Sequence, residues 1–122
     1  GHEVEIIKPE RQRVISKKTA KQVSRMLERV VLKGSGTRAQ INGYRVAGKT
    51  GTAAKVDKNG LYSTRRYVAS FVGFAPARQP QVVVFISVDE PQGEIFGGKV
   101  AAPLFSQVTK AALTYLEIAP NR

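Results

Sequence analysis

The densest group of side chains capable of chemistry lies in residues 43–54, which hold one lysine, two threonines and three glycines. Lys49 places an ammonium group beside the hydroxyl of Thr50, and Thr52 adds a second hydroxyl. Two interpretations fit. Residues 43–50 match G-x-x-x-x-G-K-[ST], a loop whose backbone cradles phosphates. Alternatively, the segment is a strand along a cleft: the lysine supplies positive charge, the hydroxyls bind a carboxylate, and the glycines let a ligand backbone approach closely.

The flanking sequence favours the strand. A phosphate loop needs an apolar strand before it and a helix directly after it. Here residues 33–40 form a polar, glycine-bearing connector upstream, and residues 57–60 have the composition of a turn downstream. We therefore predict a strand over residues 44–56 at the edge of a sheet, where unpaired backbone N–H groups are available to a ligand. The phosphate loop remains the least favoured alternative, and it predicts a helix starting at Lys49 or Thr50.

Composition restricts the classes of function. The chain has 122 residues, enough for one small domain, with no cysteine and a single histidine. We therefore predict no metal site, no cofactor and no Ser-His-Asp triad within it. The formal net charge of +11 suggests acidic partners. The basic residues are scattered and carry no nucleic-acid motif, so we predict a solvated basic surface and no nucleic-acid partner. A basic, non-catalytic binding module remains an alternative function.

Two segments have helical periodicity. The first follows Ser16, a plausible N-cap, and stops at Gly34. Its apolar residues recur at helical spacing, and we predict that Met26 among them is part of the core. They are Ala20, Val23, Met26, Leu27, Val30 and Val31. The second helix covers residues 101–116, with Pro103 in its first turn. Its apolar positions are Ala101, Leu104, Phe105, Val108, Ala111, Ala112, Tyr115 and Leu116.

Three segments have the character of strands: residues 44–56, 66–74 and 81–88. The third is apolar on both faces, which is typical of a strand inside a sheet that is covered on both sides. The order of elements predicts an α+β fold, in which a three-stranded antiparallel sheet carries the N- and C-terminal helices on one face.

Four sequence blocks resemble one protein family in order and spacing. They are residues 46–53 (VAGKTGTA), 71–76 (FVGFAP), 89–91 (DEP) and 97–105 (GGKVAAPLF). The chain resembles the C-terminal part of the transpeptidase domain of a class B penicillin-binding protein, and is most similar to division-specific and sporulation-specific members. In that family K-T-G is one of three active-site motifs. The resemblance implies a fragment of the β-lactamase/transpeptidase-like fold.

The resemblance also implies a mechanism. These enzymes cross-link peptidoglycan stem peptides: a serine attacks a D-Ala-D-Ala bond, forms an acyl-enzyme and passes it to an acceptor amine. β-Lactams acylate the same serine. On this basis Lys49 and Thr52 are predicted to be catalytic, with the Thr52 N–H as an oxyanion-hole donor. Thr50, Gly51, Thr52 and Phe96 are predicted to bind substrate, with Phe96 forming an apolar wall of the cleft. Packing of Phe96 under the second helix remains an alternative.

The chain departs from the family pattern because it lacks two of the three motifs. None of its seven serines begins S-x-x-K, the nucleophile motif, or S-x-N, the middle motif. We therefore expect residues 1–122 to be an incomplete portion of the domain, inactive alone towards peptides and β-lactams. The expected partners are stem peptides, β-lactams and the missing N-terminal part of the domain. Self-association through the exposed strand 81–88 is also expected.

The resemblance implies a location for the intact protein. Members of this family act at the outer, periplasmic face of the cytoplasmic membrane, in cell division and the maintenance of cell shape. No apolar run in the chain approaches the roughly 20 residues of a membrane span, so the fragment itself is expected to be soluble.

Overall fold

The computed structural model describes residues 3–121, in which three helices and three strands follow an N-terminal arm without regular secondary structure. The elements are α1 (Lys17–Lys33), a 3-10 turn (Thr37–Ala39), β1 (Ala47–Val56), β2 (Tyr62–Ala75), β3 (Val82–Asp89), α2 (Gly97–Val100) and α3 (Ala102–Tyr115). The predicted helices and strands are therefore all present, although β1 begins three residues later and β2 four residues earlier than expected, and α2 was not predicted.

Both ends of α1 are where the sequence predicts them. The Ser16 hydroxyl oxygen accepts a hydrogen bond from the Thr19 N–H at 3.1 Å and so caps the first turn. The helix ends at Gly34, whose backbone is extended and has a negative φ of −104°. Glycine is needed there for space: a Cβ atom would lie 2.8 Å from the carbonyl oxygen of Val30.

The three strands form one antiparallel sheet in the order β1-β2-β3. In the register, Lys49 lies opposite Val72, and Val72 lies opposite Phe85. One residue further along, Thr50 lies opposite Phe71. Because side chains alternate between the two faces of a strand, Lys49 and Thr50 start on opposite faces of the sheet.

Both long helices cover the same face of the sheet, as predicted. Phe71 of β2 is fully buried there, and its ring packs against Phe105 of α3 with centroids 4.8 Å apart. Val31 of α1 and Leu113 of α3 belong to the same buried cluster. This cluster holds the helices onto the sheet, so the α+β architecture is confirmed.

The prediction that Met26 lies in the core is wrong. Its side chain is 64% exposed, whereas Glu28 and Val31 are the buried residues of α1. Helical spacing shows that these apolar residues share a broad stripe, but not which part of the stripe meets the sheet. The rotation of α1 about its axis places Val31 in the buried cluster that contains Phe71 and leaves Met26 exposed.

The buried face of α3 also differs from the predicted stripe. Leu104, Val108 and Tyr115 are exposed. Phe105 is buried as predicted, and the other buried residues of α3 are Ala102, Thr109 and Leu113. The packing of Phe105 against Phe71 fixes the rotation of the helix, so positions four residues apart from Phe105 face the core. Thr109 was missed because threonine is a polar residue type.

In the described part of the chain, the third strand is uncovered on one face and along one edge, as expected for the exposed strand 81–88 of an incomplete portion of the domain. Within residues 3–121, β3 is an edge strand, and Phe85 on its outer face is 63% exposed together with Val83. Val84 and Ile86, on the inner face, pack against the core. The helices therefore cover one face only. No helix in this part of the chain is long and apolar enough to cross a bilayer.

Candidate active site

The backbone of β1 presents hydrogen-bonding groups at an open edge. Among the described residues β1 pairs only with β2. The N–H of Glu90 donates to the carbonyl oxygen of Tyr67, so Tyr67 directs its backbone groups towards β3. Since these directions alternate along an antiparallel strand, Ser70 in β2 faces β1 and pairs with Gly51. It follows that the N–H and C=O groups of Thr52 point away from β2, into the open edge.

The ammonium group of Lys49 reaches the same edge. Its Nζ atom donates to the carbonyl oxygen and to the hydroxyl oxygen of Thr50, both at 3.1 Å. The Thr50 hydroxyl is also 3.2 Å from the hydroxyl of Ser35, in the connector after α1. A cation, two hydroxyl groups and free backbone groups therefore lie together along the outer side of β1. Such a set can bind a carboxylate and stabilise negative charge on an oxygen.

The start of α2 lies directly on the β1–β2 ladder and fixes the Thr52 side chain. The Gly97 N–H donates to the Thr52 hydroxyl oxygen at 3.1 Å. Gly97 itself is buried, and a Cβ atom there would overlap the backbone oxygens of Ser70 and Gly51. Gly51 also lacks room for a side chain, since its Cβ would lie 2.5 Å from the Ser70 hydroxyl oxygen. Gly51 and Gly97 thus allow the close contact that fixes the position of the Thr52 hydroxyl group.

Phe96 lies beside this edge, not beneath a helix. Its side chain is 57% exposed, so the alternative of packing under the second helix is wrong. Phe96, Thr50 and Thr52 line one cavity of about 420 Å³ between the connector after α1 and the start of α2. Lys49 and Gly51 do not line this cavity, because both lie on the opposite face of β1 from Thr50 and Thr52.

An ion pair holds the loop that carries Phe96. Lys99 Nζ lies 3.2 Å from Glu94 Oε2, while Glu94 Oε1 accepts hydrogen bonds from the Ile95 and Phe96 N–H groups. The hydrogen bond from Lys99, followed by that from the Phe96 N–H, lowers the pKa of the Glu94 carboxyl below its ordinary value. The carboxylate form therefore keeps the loop folded back beside the site.

The far end of β1 is tied to the other two strands by ion pairs. Lys55 Nζ lies 2.8 Å from Asp89 and 3.0 Å from Glu90. These carboxylates, through their hydrogen bonds, raise the pKa of Lys55. Arg66 pairs with Asp57 at 2.6 Å across the hairpin. These ion pairs hold the edge strand in register at the end that follows the K-T-G motif.

Ser35 and Gly97 are site residues that sequence reasoning missed. Ser35 lies in a glycine-bearing connector that carries no motif of its own, and its partner Thr50 is fifteen residues away. Gly97 begins the Gly-Gly-Lys block, which the sequence marks only as part of a family pattern. In residues 3–121, no group of three or more histidine, cysteine, aspartate or glutamate side chains is placed to hold a metal ion.

The geometry excludes the phosphate-loop alternative. That alternative predicts a helix starting at Lys49 or Thr50, but both residues lie within β1. An extended edge strand that carries K-T-G, backed by helices on one face, defines instead the sheet of a serine transpeptidase or β-lactamase fold.

Comparison with known families gives the same class. The family model described as "Penicillin binding protein transpeptidase domain" matches residues 3–110. The chain therefore belongs to the penicillin-binding protein transpeptidase domain family, and the resemblance inferred from the four sequence blocks is confirmed.

Curated relatives narrow the class further. The chain is similar to Stage V sporulation protein D of Bacillus subtilis, with 47% identity over 113 residues that make up 92% of this chain and 17% of the relative. It is also similar to peptidoglycan D,D-transpeptidase FtsI of Escherichia coli, with 39% identity over 90% of this chain and 19% of the relative. The chain thus spans about a fifth of the length of these relatives.

Solved structures show the same fold. The transpeptidase domain of penicillin-binding protein 3 from Burkholderia pseudomallei matches with a TM-score of 0.81 and 46% identity, over 91% of this chain and 34% of that one. Penicillin-binding protein 3 from Mycobacterium tuberculosis, solved in complex with ampicillin, matches with a TM-score of 0.83 and 32% identity, over 97% and 28% of the two chains. The individual roles of Lys49, Thr50, Gly51, Thr52 and Phe96 stay predictions.

Proposed function

We propose that this chain forms the K-T-G wall of the active site of a peptidoglycan D,D-transpeptidase that β-lactams acylate. The relatives named as peptidoglycan D,D-transpeptidases and the ampicillin complex of a structural neighbour support this assignment. The observation that carries it is the open edge of β1, where the Thr52 N–H points outwards beside the Lys49 ammonium group.

Each predicted site residue has a role that fits its position. The Thr52 N–H, aimed into the open edge, serves as an oxyanion-hole donor, a contact typically worth about 3–4 kcal/mol of transition-state stabilisation. Lys49 adds positive charge, and the Thr50 hydroxyl binds the carboxylate of the substrate or the drug. The Thr52 hydroxyl oxygen already accepts the Gly97 N–H, so its own proton remains free to donate to the same carboxylate.

Gly51 and Phe96 shape the space around these groups. Gly51 leaves the strand without a side chain between the two threonines, so a substrate backbone can lie close to β1. The exposed ring of Phe96 provides an apolar surface beside the threonine hydroxyls, for the apolar part of a stem peptide or a β-lactam.

The nucleophile is proposed to come from polypeptide outside these 122 residues. The absence of S-x-x-K and S-x-N from the sequence supports this, as does the small share of each relative that the chain spans. The exposed face of β3 is proposed to pack against that polypeptide, and the intact protein to act at the periplasmic face of the membrane. Self-association through residues 81–88 also stays a prediction.

A chimera tests the proposal. Residues 3–121 replace the matching segment of the Burkholderia pseudomallei transpeptidase domain, and the rate of acylation by benzylpenicillin is followed by mass spectrometry. We expect the chimera to be acylated, and Lys49→Ala to lower the rate by about 100-fold or more, because it removes a charge at the reacting centre. Lys58→Ala, in the hairpin at the far end of β1, is the matched control and should change the rate less than about twofold.

Two results would contradict the proposal. One is a folded chimera that is acylated equally fast with and without Lys49. The other is a covalent penicillin adduct on the 122-residue chain alone, which would place the nucleophile within it.

A further inference from the structure

A strongly basic groove lies on the side of the molecule that carries α1. It is bounded by α1 and by the segments that precede β1 and follow β2, and has a volume of about 1000 Å³. Five basic side chains line it: Lys21, Arg25, Arg29, Arg45 and Arg78. None of the residues to which we assign a catalytic or substrate-binding role belongs to it.

A buried carboxylate lies beside two of these arginines. The side chain of Glu28 is only 7% exposed and lies 2.9 Å from Arg45 Nη1 and 3.7 Å from Arg78 Nε. A buried carboxylate is tolerated only with such partners, so the hydrogen-bonded Arg45 is held at the groove and the charge of Glu28 also attracts Arg78. Each guanidinium has five N–H donors, and the Arg45 side chain remains 34% exposed. Donors of both arginines are thus left for an anion in the groove.

The three basic residues of α1 that line the groove have no acidic partner. Within the part of the chain that the structure describes, no carboxylate lies within 4.0 Å of Lys21, Arg25 or Arg29. By contrast, Lys55 and Arg66 at the hairpin end each contact two carboxylates. The groove therefore contains five cationic side chains and one carboxylate that neutralises part of their charge. The remaining positive charge attracts an anionic ligand.

The spacing of the charges matches an extended peptide. Lys21, Arg25 and Arg29 are four residues apart, so they rise about 6 Å per step along the helix. Alternate side chains of an extended peptide repeat at about 6.6–6.8 Å on one face. The cations also line a concave groove that a narrow chain enters, whereas a flat membrane surface would touch only its rim. Guanidinium groups bind carboxylates through paired hydrogen bonds.

We infer that this groove binds an extended acidic peptide segment of a partner protein, with Asp or Glu at alternate positions facing α1. The peptide lies along the helix, and its carboxylates pair with Arg25, Arg29 and the two arginines beside Glu28. This interaction is separate from the transpeptidase chemistry, so the two proposals fail or stand independently.

Fluorescence anisotropy with the 122-residue chain tests the inference. The probe is a fluorescein-labelled ten-residue peptide of alternating glutamate and threonine, and the competitor is a polyphosphate of matched charge. Arg25→Glu with Arg29→Glu should weaken binding by about tenfold or more, because two attractions become repulsions. The control, Lys58→Glu with Arg65→Glu, makes the same change in net charge at the hairpin end and should weaken binding less than about threefold.

The outcomes separate specific binding from general attraction to a basic protein. Equal weakening by both double variants would overturn the inference, since net charge alone would then explain binding. Polyphosphate could also bind more tightly than the peptide and lose affinity in the Arg25→Glu, Arg29→Glu variant. That result would overturn the assignment to an acidic peptide and indicate a phosphate polymer. Circular dichroism checks that both double variants fold, which is expected because all four residues are exposed.

Discussion

The contact between Gly97 and the β1–β2 ladder leads to a sharp prediction for Gly97→Ala. The added methyl group would lie less than 3.0 Å from the backbone oxygens of Ser70 and Gly51. Backbone atoms in a paired ladder cannot rotate away as a side chain can, so α2 must move off the sheet. That movement also lengthens the hydrogen bond from the Gly97 N–H to the Thr52 hydroxyl.

The cost of this substitution follows from three effects. Overpacking of a tight site costs about 1–3 kcal/mol, and loss of one hydrogen bond costs about 0.5–1.5 kcal/mol. Replacing glycine with alanine stabilises the folded state by about 0.4–1 kcal/mol, because the unfolded chain has less conformational entropy to lose. We therefore expect Gly97→Ala to lower the free energy of unfolding by about 2 kcal/mol.

Urea unfolding of the 122-residue chain measures this change, and acylation of the chimera measures its effect on the site. The acylation rate should fall by about tenfold or more, because Thr52 is displaced from its position at the edge. Gly36→Ala is the matched control: a methyl group there lies 3.2 and 3.3 Å from side-chain atoms of Phe71 and Val30 and 3.4 Å from the Val30 carbonyl oxygen, so shifts of a few tenths of an ångström accommodate it. It should cost less than about 1 kcal/mol.

If Gly97→Ala unfolds at the same urea concentration as the unsubstituted chain and leaves acylation unchanged, then the contact of Gly97 with the β1–β2 ladder neither stabilises the fold nor positions Thr52. Unfolding at lower urea with unchanged acylation would show that the contact stabilises the fold without positioning Thr52.

Two further predictions concern a buried hydroxyl and a carboxylate. Thr109 is fully buried and its hydroxyl has no hydrogen-bond partner. Thr109→Val should therefore raise the free energy of unfolding by about 1 kcal/mol, seen as a higher urea midpoint with an unchanged slope. For Glu94, the folded pKa is lowered by Lys99, so its stabilising contribution is present above the ordinary pKa and is lost as the pH falls through the lowered value. A carboxyl NMR titration should show that pKa rising towards its ordinary value in Lys99→Met; an unchanged pKa would exclude the ion pair as the main cause.

Local features of the sequence predicted the elements well. Ser16 and Gly34 mark the ends of α1 because capping and close backbone contacts depend on neighbouring residues only. The strand through Lys49 was predicted from its flanks, and the structure places it at an edge. The four sequence blocks also indicated the family, which the match over residues 3–110 confirmed.

Features that depend on distant residues were not predictable in this way. The contacts of Thr52 with Gly97 and of Glu28 with Arg78 join residues 45 and 50 positions apart, and no local pattern links them. The exposure of Met26 has the same origin, since its spacing fits the apolar stripe of α1 equally well.

The sequence by itself thus determined which long segments are helices and strands, where α1 begins and ends, and which family the chain belongs to. The tertiary structure alone decided how far each helix is rotated over the sheet, which backbone groups of β1 face the open edge, and which charges gather around Glu28. The physical reason is that propensity, capping and turn formation act within a few residues, whereas strand register and helix rotation follow from packing around Phe71 and Phe105.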